Sequence, residues 1–350
     1  MRTRALTLTA AALALLLWLP LGLAGVPLDT PDGFLHLGWA AGWARQVAGG
    51  DLWPQWTDLN WAGAGSFALA IYPPLFRLLV GLPLLGGVPP DQALAGALLV
   101  VLLLNNAGAL ALARLWLPAG RWRWLLLGGA AFNPYLLVNV FVRGAWPEAL
   151  AQALLWWLAL GWLGLQRRQR WGLPLATLAL AGVILSNWNA ALLTLILWAL
   201  AAGVLAQRRN WGALGRWLAA QGSPLVASAP FWWPALQLLA SLRQPIPAGL
   251  LPGEFFGVGA AGAGSFGRLL WIQSLAIALL AGARWLGWGR RSDGLGRWGL
   301  AAALLGLLLM LPLSQPLYGL LPPLQRIQFP WRWLGPAWLG VLLWLGSAAG

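Results

Sequence analysis

Residues 92–115 read QALAGALLVVLLLNNAGALALARL, an uninterrupted apolar run whose one charge is Arg114. About 17–25 such residues suffice to carry a helix across a bilayer. Further stretches of this kind fall near 5–27, 124–142, 147–166, 171–187, 189–206, 217–239, 268–288, 297–313 and 332–349. Trp and Tyr crowd their ends, where amphipathic rings anchor helices at the membrane interface. The 28 Trp are therefore read mostly as belt and packing residues.

Composition points the same way. Hydrophobic residues make up 60% of the 350 and charged residues only 9%, with a mean hydropathy of +0.72. A soluble domain carries roughly 25% charged residues, so the solvent for most of this chain is lipid. The expected fold is all-α: a polytopic transmembrane helix bundle of about ten to eleven helices, forming one transmembrane domain over residues 1–350.

The formal charge of +14 comes from arginine, since there is no lysine. Arg2 and Arg4, Arg121 and Arg123, Arg167 to Arg170, Arg208 and Arg209, and Arg284 to Arg297 lie between apolar runs. That is the positive-inside pattern of cytoplasmic loops, whereas a nucleic-acid binder gathers its charges on one face of a folded domain. We therefore expect a multi-pass protein of the inner (plasma) membrane with a cytoplasmic N-terminus and no nucleic-acid partner. The first apolar run exceeds the ~7–15 residues of a signal-peptide core, so it reads as a retained helix. The outside segments become 28–66, 143–147, 186–189, 240–267 and 314–331. Segment 68–87, with Tyr72-Pro73-Pro74, would invert every later loop if it crossed, so it is read as re-entrant or as a hairpin packed within the bundle. The chain ends at Gly350 directly after an apolar run, the pattern of a truncated C-terminus.

Absences exclude several chemistries. With no cysteine there is no disulfide, thiolate zinc site or cysteine nucleophile. A single histidine rules out a multi-histidine metal site.

Acidic residues are few enough to be informative. Of eight, Asp29, Asp32, Asp51 and Asp58 lie in the long first outside loop, 28–66, with His36. Either a solvated loop collects charge, or the loop is a site. Asp32 and His36 stand four apart at the start of a short amphipathic helix expected over 33–49, on one helical face. A carboxylate beside an imidazole suits general-base work, or oxyanion and metal contacts. Arg143 and Glu148 flank Gly144-Ala145-Trp146-Pro147 as an interfacial ion pair closing a tight turn, or as a site, because a charge placed in lipid needs a partner or a task. Arg332, in Gln328-Phe329-Pro330-Trp331-Arg332, either binds phosphate bidentately or snorkels to the headgroups. Asn105 and Asn106 read as interhelical hydrogen-bonding residues.

A family resemblance joins these residues. Asp32-Gly33-Phe34-Leu35-His36, Trp53-Pro54-Gln55-Trp56, Gly63-Ala64-Gly65 and Tyr72-Pro73-Pro74-Leu75 resemble the first-loop signature of a bacterial membrane-protein family. Arg143-Gly144 with Glu148, Ser186-Asn187, Phe231-Trp232-Trp233-Pro234 and the Gln328–Arg332 string follow in order. The family is labelled 6-pyruvoyl-tetrahydropterin-synthase-related, although a pterin synthase needs a histidine zinc cluster that this chain lacks. It looks like the GT-C class of glycosyltransferases. The resemblance implies a GT-C-like bundle that moves a sugar from a polyprenyl-phosphate donor, met in the membrane lipid, to an unidentified extracytoplasmic acceptor. It implies catalytic Asp32, with Asp29 as runner-up base and His36 assisting. Substrate binding falls to Arg143, Glu148, Arg332, Gln328 and Tyr72. No cofactor is assigned, and a divalent cation is left open. The sequence departs from the pattern at Leu37-Gly38-Trp39, Gln55, Ser186 and Gln237, where the family carries other polar or charged groups. The alternatives are a non-catalytic lipid-linked-sugar transporter or scaffold, or a degenerate family member.

Overall fold

The computed structural model describes residues 2–59, 63–241, 265–287, 293–321, 324, 327 and 329–349. It is all-helical, 81% helix with no strand among the described residues, and an isolated antiparallel bridge joins Thr57 to Ser66. In chain order the helices are α1 (Arg2–Leu23), α2 (Gly33–Ala48), α3 (Ala68–Ile71), α4 (Leu75–Leu85), α5 (Pro90–Trp116), α6 (Arg121–Ala131) and α7 (Pro134–Val138). A π-helical turn at Asn139–Arg143 leads to α8 (Trp146–Gln166), α9 (Gly172–Ile184), α10 (Trp188–Gln207) and α11 (Trp211–Ser241). Then come α12 (Ser265–Gly287), α13 (Gly294–Leu309), α14 (Gln315–Leu320) and α15 (Leu334–Gly346), with a short 3-10 turn at Pro330–Trp333.

Among the described residues, five helices are long and apolar enough to cross a membrane: Arg4–Leu23, Pro90–Trp116, Arg121–Arg143, Trp146–Gln166 and Trp188–Gln207. The pair Gly294–Leu309 and Pro312–Leu320, bent by 89°, makes a sixth if it counts as one span. The stretches 217–239 and 268–288 lie in helices of 31 and 23 residues outside that set, and other apolar stretches form shorter helices. Helix α9 has 13 residues and rises only about 20 Å, short of the ~30 Å hydrocarbon core. Helix α4, within the segment expected to be re-entrant, has 11 residues and rises about 16 Å. Outward-facing Leu8, Leu178, Val226, Ile272 and Leu286 are 65–88% exposed, a surface suited to lipid.

The chain divides into two compact units. The first comprises Met1–Gly108, Val138–Ala191 and Asn210–Arg243. Its helices are tied by polar groups buried among apolar ones, the arrangement that holds helices together where lipid removes the hydrophobic drive. Trp18 Nε1 donates to Ala95 O (2.7 Å) and Asn106 Nδ2 to Ala10 O (3.0 Å), joining α1 to α5. Trp156 Nε1 donates to Asn105 Oδ1 and Trp157 Nε1 to Leu104 O, each at 3.0 Å, joining α5 to α8. Asn105 and Asn106 thus bind between helices as the sequence suggested, and several tryptophans are interhelical donors. Helices α8 and α9 pack backbone to backbone: a Cβ on Gly161 would lie 2.6 Å from Ala176 N. In the expected first loop, α2 is a packed helix, with Trp43 and Ala44 buried beside Leu69 and Trp39, Val47, Leu78 and Leu84 around them.

The second unit comprises Ala109–Leu137, Leu192–Arg209 and Gln244–Gly350. Helices α13 and α15 approach so closely that a Cβ on Gly299 would stand 2.4 Å from Gly340 O. Trp338 Nε1 donates to Gly129 O (2.8 Å), fastening α15 to α6.

Candidate functional site

The first unit assembles charged residues where α2 and α8 begin. Asn139–Arg143 is wound as a π-helical turn, a feature often found at functional sites. It brings Asn139 and Arg143 side by side, and Arg143 Nη1 donates to Asn139 Oδ1 at 2.7 Å. The next residue, Gly144, is left-handed with φ +67°. A Cβ there would lie 2.3 Å from Thr30 Oγ1 and 2.6 Å from Gly33 N, so only glycine lets the two strands of chain touch. The contact is sealed by Asp32 N–H donating to Arg143 O at 3.0 Å.

Asp32 stands at the N-cap of α2, but its side chain makes no capping bond. Thr30 Oγ1 takes the Gly33 N–H instead, at 3.1 Å. The Asp32 carboxylate turns to Arg143, with Oδ2 3.7 Å from Nη2, and remains 38% exposed. On the other side of the guanidinium, Glu148 Oε2 accepts from Arg143 Nη1 at 3.3 Å. Glu148 lies in the first turn of α8, where a carboxylate is favoured by the helix dipole. Arg143 and Glu148 are both buried. Two charges taken from water persist only when paired and hydrogen-bonded, and here each is. The cluster therefore presents one half-exposed carboxylate in front of a buried, fixed cation. Asn139 Nδ2, fully buried, has no hydrogen-bond partner among the described residues.

His36 lies one turn into α2, in a box of rings: Trp39 and Tyr72 at 5.4 Å between centroids, Trp146 at 6.1 Å and Phe76 at 6.3 Å. Its Nε2 has no hydrogen-bond partner among the described residues. Burial, and to a lesser extent the Arg143 cation, pushes the imidazole from 6.5 down to about 3, so it is neutral at physiological pH. Tyr72 belongs to this box and also stacks obliquely on Trp39 at 4.6 Å.

The structure thus brings together Asp32, Arg143 and Glu148, with His36 and Tyr72 behind them. Asp29 is exposed on the connection before α2. Arg332 belongs to the second unit, buried in the Pro330–Trp333 turn with its guanidinium 5.5 Å above the Phe329 ring. Gln328 lies outside the described residues. Asn139, Thr30 and Trp146 were not singled out in the sequence. The i, i+4 spacing of Asn139 and Arg143 was the available signal, hidden inside an apolar run. Among the described residues no group of three or more His, Asp or Glu side chains could hold a metal ion. The chain matches no protein-family model and no curated protein.

Proposed function

We propose that the chain is a GT-C-type inverting glycosyltransferase of the plasma membrane, moving a sugar from a polyprenyl-phosphate donor to an extracytoplasmic acceptor. On this reading it is a bundle of ten to eleven crossings with a cytoplasmic N-terminus. One observation carries the assignment: a half-exposed carboxylate, Asp32, faces a buried guanidinium, Arg143, at the start of two helices. Transfer needs a base for the acceptor and positive charge for the departing phosphate, close together. Asp32 takes the acceptor hydroxyl proton. The acceptor oxygen then bonds the anomeric carbon, and the bond from that carbon to the phosphate oxygen breaks, its electron pair leaving with the polyprenyl phosphate. Arg143 is the cation assigned to that developing charge. His36, neutral in its ring box, shapes the wall beside Asp32.

A second reading has its own observation. Arg143 is already engaged by Glu148 and Asn139. The cluster would then fasten α2 to α8 in a non-catalytic lipid-linked-sugar transporter or scaffold.

Purified protein supplied with a panel of polyprenyl-phosphate sugars separates the two by release of the lipid phosphate. Asp32→Asn should lose ~10²–10⁴-fold in turnover while keeping donor binding. Sugar-lipid crossing unchanged, with no phosphate freed by the parent, would refute catalysis.

A further inference from the structure

At the opposite end of α8 from Glu148, the first unit holds a cleft of about 460 Å³. It is lined by Arg168, Gln169, Arg170 and Arg216 together with Leu165, Leu173 and Ala219. The cleft is built into the helix packing. Thr177 and Ser223 hydroxyls are hydrogen-bonded at 2.7 Å and Trp162 packs edge-on to Trp217, fixing α11 against α9 and α8. None of the three arginines is ion-paired to a carboxylate among the described residues.

The backbone adds a second observation. Helix α8 ends in a Schellman turn: Arg168 N–H donates to Leu165 O (3.1 Å) and Gln169 N–H to Gly164 O (2.8 Å). Such turns place the residue after the cap in the left-handed region, usually as glycine. Here that residue is Arg168, at φ +55°. A chain with 45 glycines carries a guanidinium where glycine is the easier choice. Arg209, at φ +52°, repeats the pattern after α10, so attraction of a cation to a helix C-terminus accounts for part of it. What sets Arg168 apart is the cleft it shares with two further arginines and an aliphatic wall.

We propose that this cleft binds the phosphate of an anionic phospholipid. The phosphate sits among Arg168, Arg170 and Arg216, and the glycerol and first acyl carbons lie on Leu165, Leu173 and Ala219. A basic pocket between membrane helices suits an acidic headgroup. The aliphatic half of the wall favours the lipid-borne phosphate over a free one, which would leave that half unused.

The test uses the full chain in mixed micelles, with bound lipid counted by native mass spectrometry. Phosphatidylglycerol should bind in preference to phosphatidylcholine. Arg168→Gly and Arg216→Gln should each weaken phosphatidylglycerol about five- to tenfold, the scale of one guanidinium–phosphate contact near a surface. Arg168→Gly is the decisive variant, because glycine suits the left-handed position and keeps the fold. Arg297→Gln, at another basic end, should change nothing. Unchanged phosphatidylglycerol binding in both cleft variants would overturn the site, and equal loss in Arg297→Gln would reduce it to diffuse attraction. Inorganic phosphate displacing the lipid at equal concentration would overturn the lipid assignment in favour of a soluble phosphate.

Discussion

Replacing Arg143 by Met tests the central cluster most directly. The substitution keeps a long apolar stem and removes the guanidinium. Glu148, 3% exposed, then loses its counter-charge inside the protein. Breaking a buried pair from one side costs about 3–5 kcal/mol, because an uncompensated charge remains. The Asp32 contact adds little, since that carboxylate is 38% exposed and a pair at 3.7 Å is largely screened. Glu148→Gln leaves Arg143 its bond to Asn139 and should cost about 1–3 kcal/mol. The double variant Arg143→Met/Glu148→Gln removes both charges and leaves chiefly Asn139 Oδ1 unsatisfied, a cost of about 1–3 kcal/mol. The single costs add to about 4–8 kcal/mol, so the double variant should be at least ~1 kcal/mol more stable than that sum implies, a coupling of the kind seen for contacting residues. Equilibrium unfolding in mixed micelles of rising SDS content, followed by far-UV circular dichroism, measures all four chains. A single Arg143→Met cost within the ~0.5 kcal/mol of an ordinary surface change would show that the guanidinium is not a buried partner. Strict additivity would show that Arg143 and Glu148 do not interact.

Gly144→Ala sets a methyl against Thr30 and Gly33 at a left-handed position, and should cost about 2–5 kcal/mol from backbone and overpacking terms together; an unchanged unfolding midpoint would contradict the contact. His36, held near 3 when folded against about 6.5 unfolded, makes the unfolded chain bind the extra proton between those values, so stability falls as pH is lowered through that window. From pH 7 to 5 the loss should be about 2 kcal/mol, and His36→Gln should flatten that slope. In intact cells, Cys placed at Asp51 should react with an impermeant thiol reagent and Cys at Arg168 or Arg209 should not, with the parent's lack of cysteine supplying the background; labelling at 168 from outside would invert the topology.

The helices were legible because apolar runs and interfacial tryptophans are one-dimensional signals. The expected 33–49 helix is Gly33–Ala48. The number of crossings was less so: the run 171–187 is apolar over most of its length, yet its helix stops at Ile184 because Ser186 and Asn187 at its end turn the chain and cap α10, Asn187 Oδ1 accepting from Ala190 N–H. At the site, the Asp32–His36 spacing was read as two groups acting on one face. The structure gives them different surroundings, one beside a cation and one among rings. That division depends on Gly144, whose missing Cβ allows the approach of the 30–33 backbone. No local pattern in the sequence announces it.

Helix α8 links the two sites of the first unit. It carries Glu148 in its first turn and ends where the Arg168 cleft begins, 21 residues in all. A helix of that length rises about 31 Å, the thickness of the hydrocarbon core. If α8 crosses, the acidic end and the arginine end lie in opposite interfaces, and each carries the chemistry its interface requires. On the proposed reading the carboxylate end would meet an acceptor in water, and the guanidinium end would meet acidic headgroups, which are concentrated in the cytoplasmic leaflet. An anionic lipid held at Arg168 would then fix the depth of α8, and through it the height of Arg143 and Glu148 in the opposite interface. Loss of that lipid should loosen the helix along its axis without touching Asp32 or its partners. Arg168→Gly should therefore leave the Arg143–Glu148 coupling intact while removing the extra stability that added phosphatidylglycerol gives the parent. Equal stabilisation of both proteins by that lipid would break the link between the two ends.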